Sequence, residues 1–278
     1  LYNSVLSGMD LEGEKFLYNN PLNVSNDLPF HQRWGNEREG YIALSNCCAP
    51  NVTRTIAEVG NYAYNISKEG LYVNLYGSNQ LKTKSLNGEE IEIEQQTNYP
   101  WDGKITLKIV KAPKDLQTFF LRIPGWSQNA EVSVNNSKIN DKIVSGTYLQ
   151  LNQKWKKGDV IELNLPMPVE LMEANPLVEE VKNQVAVKRG PLVYCLESDQ
   201  LPSKVSVNDV ALNLKSKFTT NNFTLNNRNL VSIDAEAVIN SDNSWNKTLY
   251  KPLSSKDATA VPVKLIPYFA WGNKGKGE

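Results

Sequence analysis

The sequence is poor in residues on which many scaffolds and active sites depend. Its 278 residues include three Cys, one His and three Met. Three cysteines can form at most one disulfide, which cannot hold a chain of this length together, so a disulfide scaffold is excluded. With a single histidine, a nucleophile relay built on imidazole would have to use His31. No apolar stretch approaches the roughly 20 residues that a membrane helix needs, and no signal-peptide pattern opens the chain.

Net charge is absent as well. Thirty Lys and Arg balance thirty Asp and Glu, which gives a formal charge of zero and a pI near 6.8. Without a basic excess, neither nucleic acid nor a membrane surface is an expected partner. The length suits one large domain or a few smaller ones. Because the chain opens without Met and in the middle of a pattern, we expect a piece of a longer protein.

The first 67 or so residues are predicted to be largely helical. Residues 3–8 are typical of a helix that ends at a glycine, and residues 16–22 are a candidate short strand. The clearest helix follows the adjacent pair Cys47 and Cys48, where Pro50 suits the first helical position because it has no N–H to satisfy. Apolar residues then recur at spacings of three and four, and Gly70 is the expected stop. These apolar residues are Val52, Ile56, Val59, Ala63 and Ile66.

From Leu71 the apolar period changes to two, which indicates an antiparallel β-sandwich. A second β-rich block begins near Pro168 and ends with an apolar run at residues 261–271. The predicted organisation has three parts: residues 1–69 helical, residues 70–167 a β-sandwich, and residues 168–278 a second β-sandwich. The C-terminal strand of the second block could return to the first.

Cys47 and Cys48 form the strongest candidate site. At a helix start, unpaired N–H groups and the helix dipole stabilise negative charge, which lowers the pKa of a thiol and favours thiolate. Thiolates bind soft metals, and zinc takes about four ligands. An upstream segment is the more natural source of the remaining ligands, and the alternative is that both cysteines are inert and buried. Formal candidates within the chain for the remaining ligands are His31, Glu37 and Glu39.

The surroundings of the pair carry a resemblance. The residues concerned are 47–51 (CCAPN), Arg54 and 62–64 (YAY). They resemble the signature of the cysteine-dependent β-L-arabinofuranosidases, glycoside hydrolase family 127 and its relatives. The double proline usual in that family is Ala49 and Pro50 here. Further segments resemble the family in order along nearly the whole chain: 16–22 (FLYNNPL), 71–76 (LYVNLY), 121–126 (LRIPGW), 155–159 (WKKGD), 189–194 (RGPLVY) and 265–271 (LIPYFAW).

The resemblance implies a fold and a mechanism. The fold class is mainly β with an N-terminal helical segment, namely the end of an (α/α)6 barrel followed by two β-sandwich domains. The mechanism is retaining, with Cys47 as nucleophile and zinc ligand and Cys48 as a second zinc ligand. In the family, the other two ligands, a Glu and a Cys, and the acid/base Glu lie upstream. The zinc site would therefore be incomplete in this chain.

We therefore expect the C-terminal portion of a retaining glycosidase that acts on plant arabinose-containing glycans and is inactive alone. Tyr18 and His31 are candidates to contact the sugar, with a core tyrosine and a loop histidine as the alternatives. The competing hypotheses are a non-catalytic β-sandwich that binds glycan or packs against the missing N-terminal barrel, and a purely structural zinc site. Homo-oligomerisation is left open. A periplasmic or secreted bacterial location is favoured over the cytoplasm.

Overall fold

The computed structural model describes residues 1–24, 37–40, 47–112, 114, 118–203, 205–240, 249–252 and 259–275. Contacts between residues divide the chain into two compact units. One comprises Thr55–Glu170 with Arg189–Pro191, and the other comprises Leu1–Arg54 with Leu171–Lys188 and Leu192–Glu278. Within the described ranges, no helix has the length and apolar character needed to cross a membrane.

The described residues before Gly70 contain less helix than the sequence predicts. Their helical elements are α1 (Cys48–Glu58) and two short 3-10 helices, Leu6–Gly8 and Val59–Tyr62. Phe16, in the candidate short strand, forms isolated β-bridges with Met9 and Glu39. One helix cannot establish a barrel, so the end of an (α/α)6 barrel is not shown in this chain.

Helix α1 ends at Glu58, whereas the apolar period predicts that it continues to Ile66. Gly60 follows closely and disfavours further helix. Tyr64–Ile66 then forms strand β1, which pairs antiparallel with β2 (Leu71–Val73). Residues 64–66 therefore form a strand in spite of their helical apolar period, because pairing with β2 lets their side chains pack within a sheet.

The described residues from 64 to 164 form ten strands in two sheets. One sheet has the order β1-β2-β6-β9, and the other has the order β3-β4-β5-β10-β7-β8. The pairing of β2 with β6 is parallel, and the other pairings within these sheets are antiparallel. The remaining strands are β3 (Asn79–Lys84), β4 (Glu90–Thr97), β5 (Lys104–Lys111), β6 (Thr118–Arg122), β7 (Glu131–Val134), β8 (Ser137–Lys138), β9 (Tyr148–Asn152) and β10 (Val160–Asn164).

The two sheets share one apolar core. Phe119 and Leu121 of β6 are completely buried, as are Ile91 and Ile93 of the other sheet, and all four belong to one cluster. Each such side chain contributes roughly 1.5–3 kcal/mol by leaving water. The residues between them along each strand point away from the core. This arrangement is a β-sandwich, and the mainly β class predicted from the period of two is confirmed.

Beyond the sandwich, the described strands are connected by pairing into one seven-stranded sheet. Its order is β11-β12-β13-β17-β16-β14, with β15 paired to β16. The last strand, whose return to the first sandwich the sequence left open, pairs with β13 and β16 of this sheet. The strands are β11 (Val169–Met172), β12 (Ala186–Arg189), β13 (Leu192–Cys195), β14 (Val210–Leu212), β15 (Thr219–Leu225), β16 (Arg228–Ile239) and β17 (Thr259–Pro267).

Two backbones of the sandwich approach closely at Gly103, just before β5. The Leu165 N–H donates to the Gly103 carbonyl at 2.9 Å. A Cβ atom on Gly103 would lie 1.8 Å from the Leu165 carbonyl oxygen. That separation is far inside van der Waals contact, so only glycine fits there.

We expect Gly103→Ala to lower the free energy of unfolding by more than about 2 kcal/mol. The added methyl group can be accommodated only if the Leu165 backbone moves, which disturbs the end of β10. Gly77→Ala is the matched control, because nothing lies within 4 Å of its Cβ position, and it should change the free energy by less than about 1 kcal/mol. Urea unfolding followed by tryptophan fluorescence measures both variants. Equal unfolding midpoints would contradict the close approach at Gly103.

Candidate active site

The two adjacent cysteines lie at the start of α1. The helix begins at Cys48, and the Cys47 carbonyl accepts the Asn51 N–H at 3.0 Å, so Cys47 is the residue before the first helical turn. Their Sγ atoms are 3.3 Å apart, close enough for one thiol to donate to the other. Cys47 is exposed and Cys48 is half-buried. The structure therefore brings both sulfur atoms together at the positive end of the helix dipole.

The residues after the pair explain why a helix begins here. The sequence predicts Pro50 at the first position of the helix, whereas in the structure it is the third residue of α1. It still lies in the first turn, where backbone N–H groups have no partner within the helix, so its missing N–H costs no hydrogen bond. The Thr53 hydroxyl donates to the Pro50 carbonyl at 2.9 Å. The Arg54 guanidinium donates to the Asn51 side-chain oxygen. The side chains of Asn51, Thr53 and Arg54 thus stabilise the first turn.

The pKa of the Cys47 thiol is raised, whereas its place at a helix start alone predicts a lowered one. The hydrogen bond with the Cys48 thiol is the main cause, and the electrostatic effect of the same neighbour is the second. Adjacent thiols resist losing both protons because the second thiolate would form beside the first. The neighbouring sulfur therefore raises the pKa of the Cys47 thiol at the start of the helix.

The pair fits part of a zinc site. Two sulfurs bound to one tetrahedral zinc ion, each at about 2.3 Å, lie about 3.8 Å apart. The observed distance between the two Sγ atoms is 3.3 Å, and a small side-chain rotation would increase it to that value. Among the residues that the structure describes, no three His, Cys, Asp or Glu side chains are placed to hold a metal ion. Glu37 and Glu39 are described and do not complete the set, and His31 lies outside the described residues.

Tyr18 follows a segment that packs against the helix of the cysteines. The Leu17 N–H donates to the Gly8 carbonyl at 2.8 Å. A Cβ atom on Gly8 would lie 3.3 Å from Cγ2 of Val52, so the Val52 side chain lies against the Gly8 backbone. Val52 is four residues after Cys48, and the two therefore share one face of α1. Tyr18 is next to Leu17 in this segment and is half-buried.

Arg38 makes an interaction that the sequence analysis missed. Its guanidinium donates to the Ser7 carbonyl at 2.9 Å and to the Trp271 carbonyl, and it lies 5.1 Å from the centre of the Trp271 ring. Burial lowers the pKa of Arg38, an effect that the nearby carboxylate of Asp10 opposes. The partner Trp271 is 233 residues away in sequence, so no local pattern could have indicated this contact.

Three further hydrogen bonds join the N-terminal segment to residues near the C-terminal end of the chain. The Asn3 side chain accepts the Val193 N–H at 2.9 Å, and the Asn273 side chain accepts the Leu11 N–H at 2.9 Å. The hydroxyl of Tyr268 donates to the Pro21 carbonyl at 2.7 Å. The segment that carries Tyr18 is therefore held by several groups from the last hundred residues.

A polar cavity of about 390 Å³ lies beside Arg38 and Trp271. Its lining includes Asp10 and Asn273, whose side chains already bond to the neighbouring backbone, but neither cysteine. The candidate chemistry at Cys47 is therefore not part of this cavity.

The three cysteines should differ in thiol reactivity. Cys47 is exposed and Cys48 lies beside it, whereas burial of the thiol raises the pKa of Cys195, which donates to the Ile266 carbonyl at 3.7 Å. In the native, metal-free chain we expect two thiols to react rapidly with Ellman's reagent at mildly alkaline pH, and the third only after unfolding. Cys195→Ser should leave the rapid count at two, and Cys47→Ser should lower it to one. Three rapid thiols in the native chain would show that Cys195 is not protected.

Three family models match the chain in sequence order. Residues 1–61 match the catalytic domain of the β-L-arabinofuranosidases of glycoside hydrolase family 127. Residues 70–167 match the middle domain of the same family, and residues 169–278 match its C-terminal domain. The matches cover nearly every residue.

Individual relatives agree with the family models. A non-reducing end β-L-arabinofuranosidase from Bifidobacterium longum subsp. longum is 30% identical over 293 residues, which cover 100% of this chain and 43% of that protein. A solved structure described as a glycoside hydrolase superposes with a TM-score of 0.93 at 43% identity, covering 99% of this chain and 45% of that one. For the family 127 β-L-arabinofuranosidase of Geobacillus stearothermophilus T6, the TM-score is 0.86 at 35% identity, with 98% and 43% covered.

The chain spans less than half the length of these relatives. The matched models run from a catalytic domain through a middle domain to a C-terminal domain. The chain therefore belongs to glycoside hydrolase family 127 and corresponds to the C-terminal portion of its members.

Proposed function

We propose that this chain supplies the nucleophile and two zinc ligands of a retaining β-L-arabinofuranosidase. The observation that carries the proposal is the thiol pair at the start of α1, with its sulfurs 3.3 Å apart and Cys47 exposed. A nucleophile must be reachable from outside the protein, and a metal ligand must stand beside another ligand. Cys47 satisfies both requirements in a chain whose relatives include a non-reducing end β-L-arabinofuranosidase.

Cys47 is assigned as the attacking group. Its sulfur forms a bond to the anomeric carbon while the bond from that carbon to the leaving oxygen breaks. A carboxylic acid protonates the leaving oxygen, and the resulting carboxylate then takes a proton from the water molecule that displaces the sulfur. Two displacements at the same carbon retain its configuration. The resemblance assigns this acid/base role to an upstream Glu, so the described residues hold one half of the reacting groups.

Cys47 and Cys48 are assigned as two of the four zinc ligands. Zinc, when bound, keeps a cysteine sulfur ionised at neutral pH and makes it a better leaving group. The Cys48 thiol stands beside Cys47 before any metal binds, so the two ligands need little rearrangement. The purely structural zinc site is the competing assignment for the same two residues.

The proposed substrates are plant-derived oligosaccharides and glycans that carry arabinofuranose. Tyr18, whose segment packs against α1, is assigned to hydrogen-bond the sugar, and His31 is a second candidate. The proposal keeps the division of the chain at residues 1–69, 70–167 and 168–278, with the first part ending a catalytic barrel that serves as packing partner. It also places the enzyme in the periplasm or outside a bacterial cell, where such glycans are met.

The 278-residue chain alone should not hydrolyse p-nitrophenyl β-L-arabinofuranoside. The reason is that the proposed acid/base Glu and two zinc ligands are not among its residues. Release of p-nitrophenol by the purified chain with added zinc is the measurement. Turnover that disappears in the Cys47→Ser variant would contradict the assignment of the acid/base to an upstream residue.

In a longer protein that includes the upstream part, Cys47→Ser should lower kcat by at least about a thousandfold, because an alcohol is a much weaker nucleophile than a thiolate. Cys195→Ser is the matched control and should retain activity. A 2-fluoro arabinofuranosyl inhibitor should label the peptide that contains Cys47, as read by mass spectrometry. Metal analysis of each variant separates the role of Cys47 as nucleophile from its role as zinc ligand. A Cys47→Ser variant that loses turnover but retains zinc supports the assignment of Cys47 as nucleophile. A label on another residue, or full turnover in Cys47→Ser, would exclude it.

A further inference from the structure

The outer surface of the four-stranded sheet presents three aromatic rings. Tyr72 of β2 stacks on Phe120 of β6, with ring centres 4.2 Å apart and an angle of 8° between their planes. Tyr148 of β9 meets Tyr72 edge-on at 5.3 Å. Phe120 points outward because its neighbours Phe119 and Leu121 are buried in the core of the sandwich. The residues Tyr72, Phe120 and Tyr148 are called the aromatic face.

The rings of the aromatic face are held in place by the protein itself. The hydroxyl of Tyr72 donates to the Glu69 carboxylate at 2.7 Å, and the hydroxyl of Tyr148 donates to the Asn74 side-chain oxygen at 2.7 Å. The side chain of Tyr148 nevertheless remains 42% exposed. Rings that are already fixed lose little conformational entropy when a ligand stacks on them. The aromatic face is thus organised before any ligand binds.

Arg122 lies on the same outer surface without a partner. It stands directly opposite Tyr148 in the pairing of β6 with β9. Its Nε atom is enclosed and has no hydrogen-bond partner, and the described residues offer its guanidinium no ion pair. An enclosed donor that lacks a partner costs free energy. A carboxylate that reached the outer nitrogens of this guanidinium would form a charge-assisted bond.

The polar groups on the two outer surfaces of the sandwich differ, although the Glu69 carboxylate that accepts from Tyr72 lies beside the aromatic face. The six-stranded sheet carries ion pairs on its outer surface, such as that between Lys111 and Glu90. Near the aromatic face, the neighbours in register are amides, Asn65 beside Tyr72 and Gln150 beside Phe120. Fixed rings match the C–H faces of a sugar, amides match its hydroxyl groups, and an unpaired guanidinium matches a carboxylate.

We propose that the aromatic face and Arg122 bind glycan chains that carry uronic acid. The rings stack on the sugars, and the guanidinium pairs with the carboxylate of one of them. None of these residues has a role in the proposed hydrolysis, so a test of this glycan site is independent of the role proposed for Cys47. A protein partner would need a larger apolar area than three rings at the end of short strands provide.

Calorimetric titration of the 278-residue chain with oligogalacturonate tests the proposal. The fully methyl-esterified oligosaccharide is the matched probe, since it keeps the sugar rings and loses the charge. We expect the ester to bind at least about tenfold more weakly than the acid. Arg122→Gln should weaken binding of the acid by about tenfold and leave binding of the ester unchanged. Tyr148→Ala should weaken binding of both.

Lys108→Gln is the matched control, because it also removes one positive charge but from the exposed side of β5, in the other sheet. It should change the affinity less than about twofold. Equal losses in Arg122→Gln and Lys108→Gln, equal binding of acid and ester, or no binding at all would each overturn the proposal. Sedimentation that shows dimers of the chain, lost in Tyr148→Arg, would assign the aromatic face to a second copy instead and overturn it too. Since Tyr148 is exposed, Tyr148→Ala keeps the test valid if Arg122→Gln fails to fold.

Discussion

The burial of one apolar layer between the four-stranded and six-stranded sheets determines where every side chain of the sandwich points. The side-chain period of a strand is two, so the burial of Phe119 and Leu121 forces Phe120 and Arg122 outward. A slip of β6 by one residue would bury a guanidinium and expose two large apolar groups. The chemistry of the outer surfaces is thus a direct consequence of the core, and the core leaves the register little freedom to change.

A different constraint brings the two thiols together. In a regular helix, adjacent side chains diverge by about 100° around the axis, and in a strand they point to opposite faces. Cys47 stands before the first turn and Cys48 begins it, so the chain direction changes between them and their sulfurs meet at 3.3 Å. A helix start is therefore one of the few places where neighbouring residues can both face one ion. It also adds the field of unpaired N–H groups.

The sequence predicts those features of the fold that depend on local patterns. The strands around Ile93 and Leu121 follow from alternation, and the start of α1 follows from the cysteine pair and Pro50. The end of α1 does not follow, because the pairing of Tyr64–Ile66 with a second strand decides it. An alternating run likewise indicates a strand but not its pairing partners, so the order of the seven strands after residue 168 does not follow from the sequence.

The candidate site shows the same division. The cysteines are adjacent in sequence, so their proximity could be predicted, whereas the raised pKa of Cys47 depends on how the two sulfurs are oriented. The role of Arg38 depends on Ser7 and Trp271, which no window of sequence joins. Contacts between distant segments decide how the N-terminal segment is held, and a single sequence carries no direct signal for them.

Those contacts explain why residues that match a catalytic domain need residues that match a C-terminal domain. Arg38 is half-buried, and its guanidinium donates to the backbone carbonyls of Ser7 and Trp271. Without Trp271, the enclosed cation would lose a hydrogen bond and the ring beside it, at a cost well above that of a surface contact. The Val193 N–H and the Tyr268 hydroxyl likewise bond to groups of the first 24 residues. Strand β13 and the residues after β17 therefore act as a structural support for the segment that carries Tyr18.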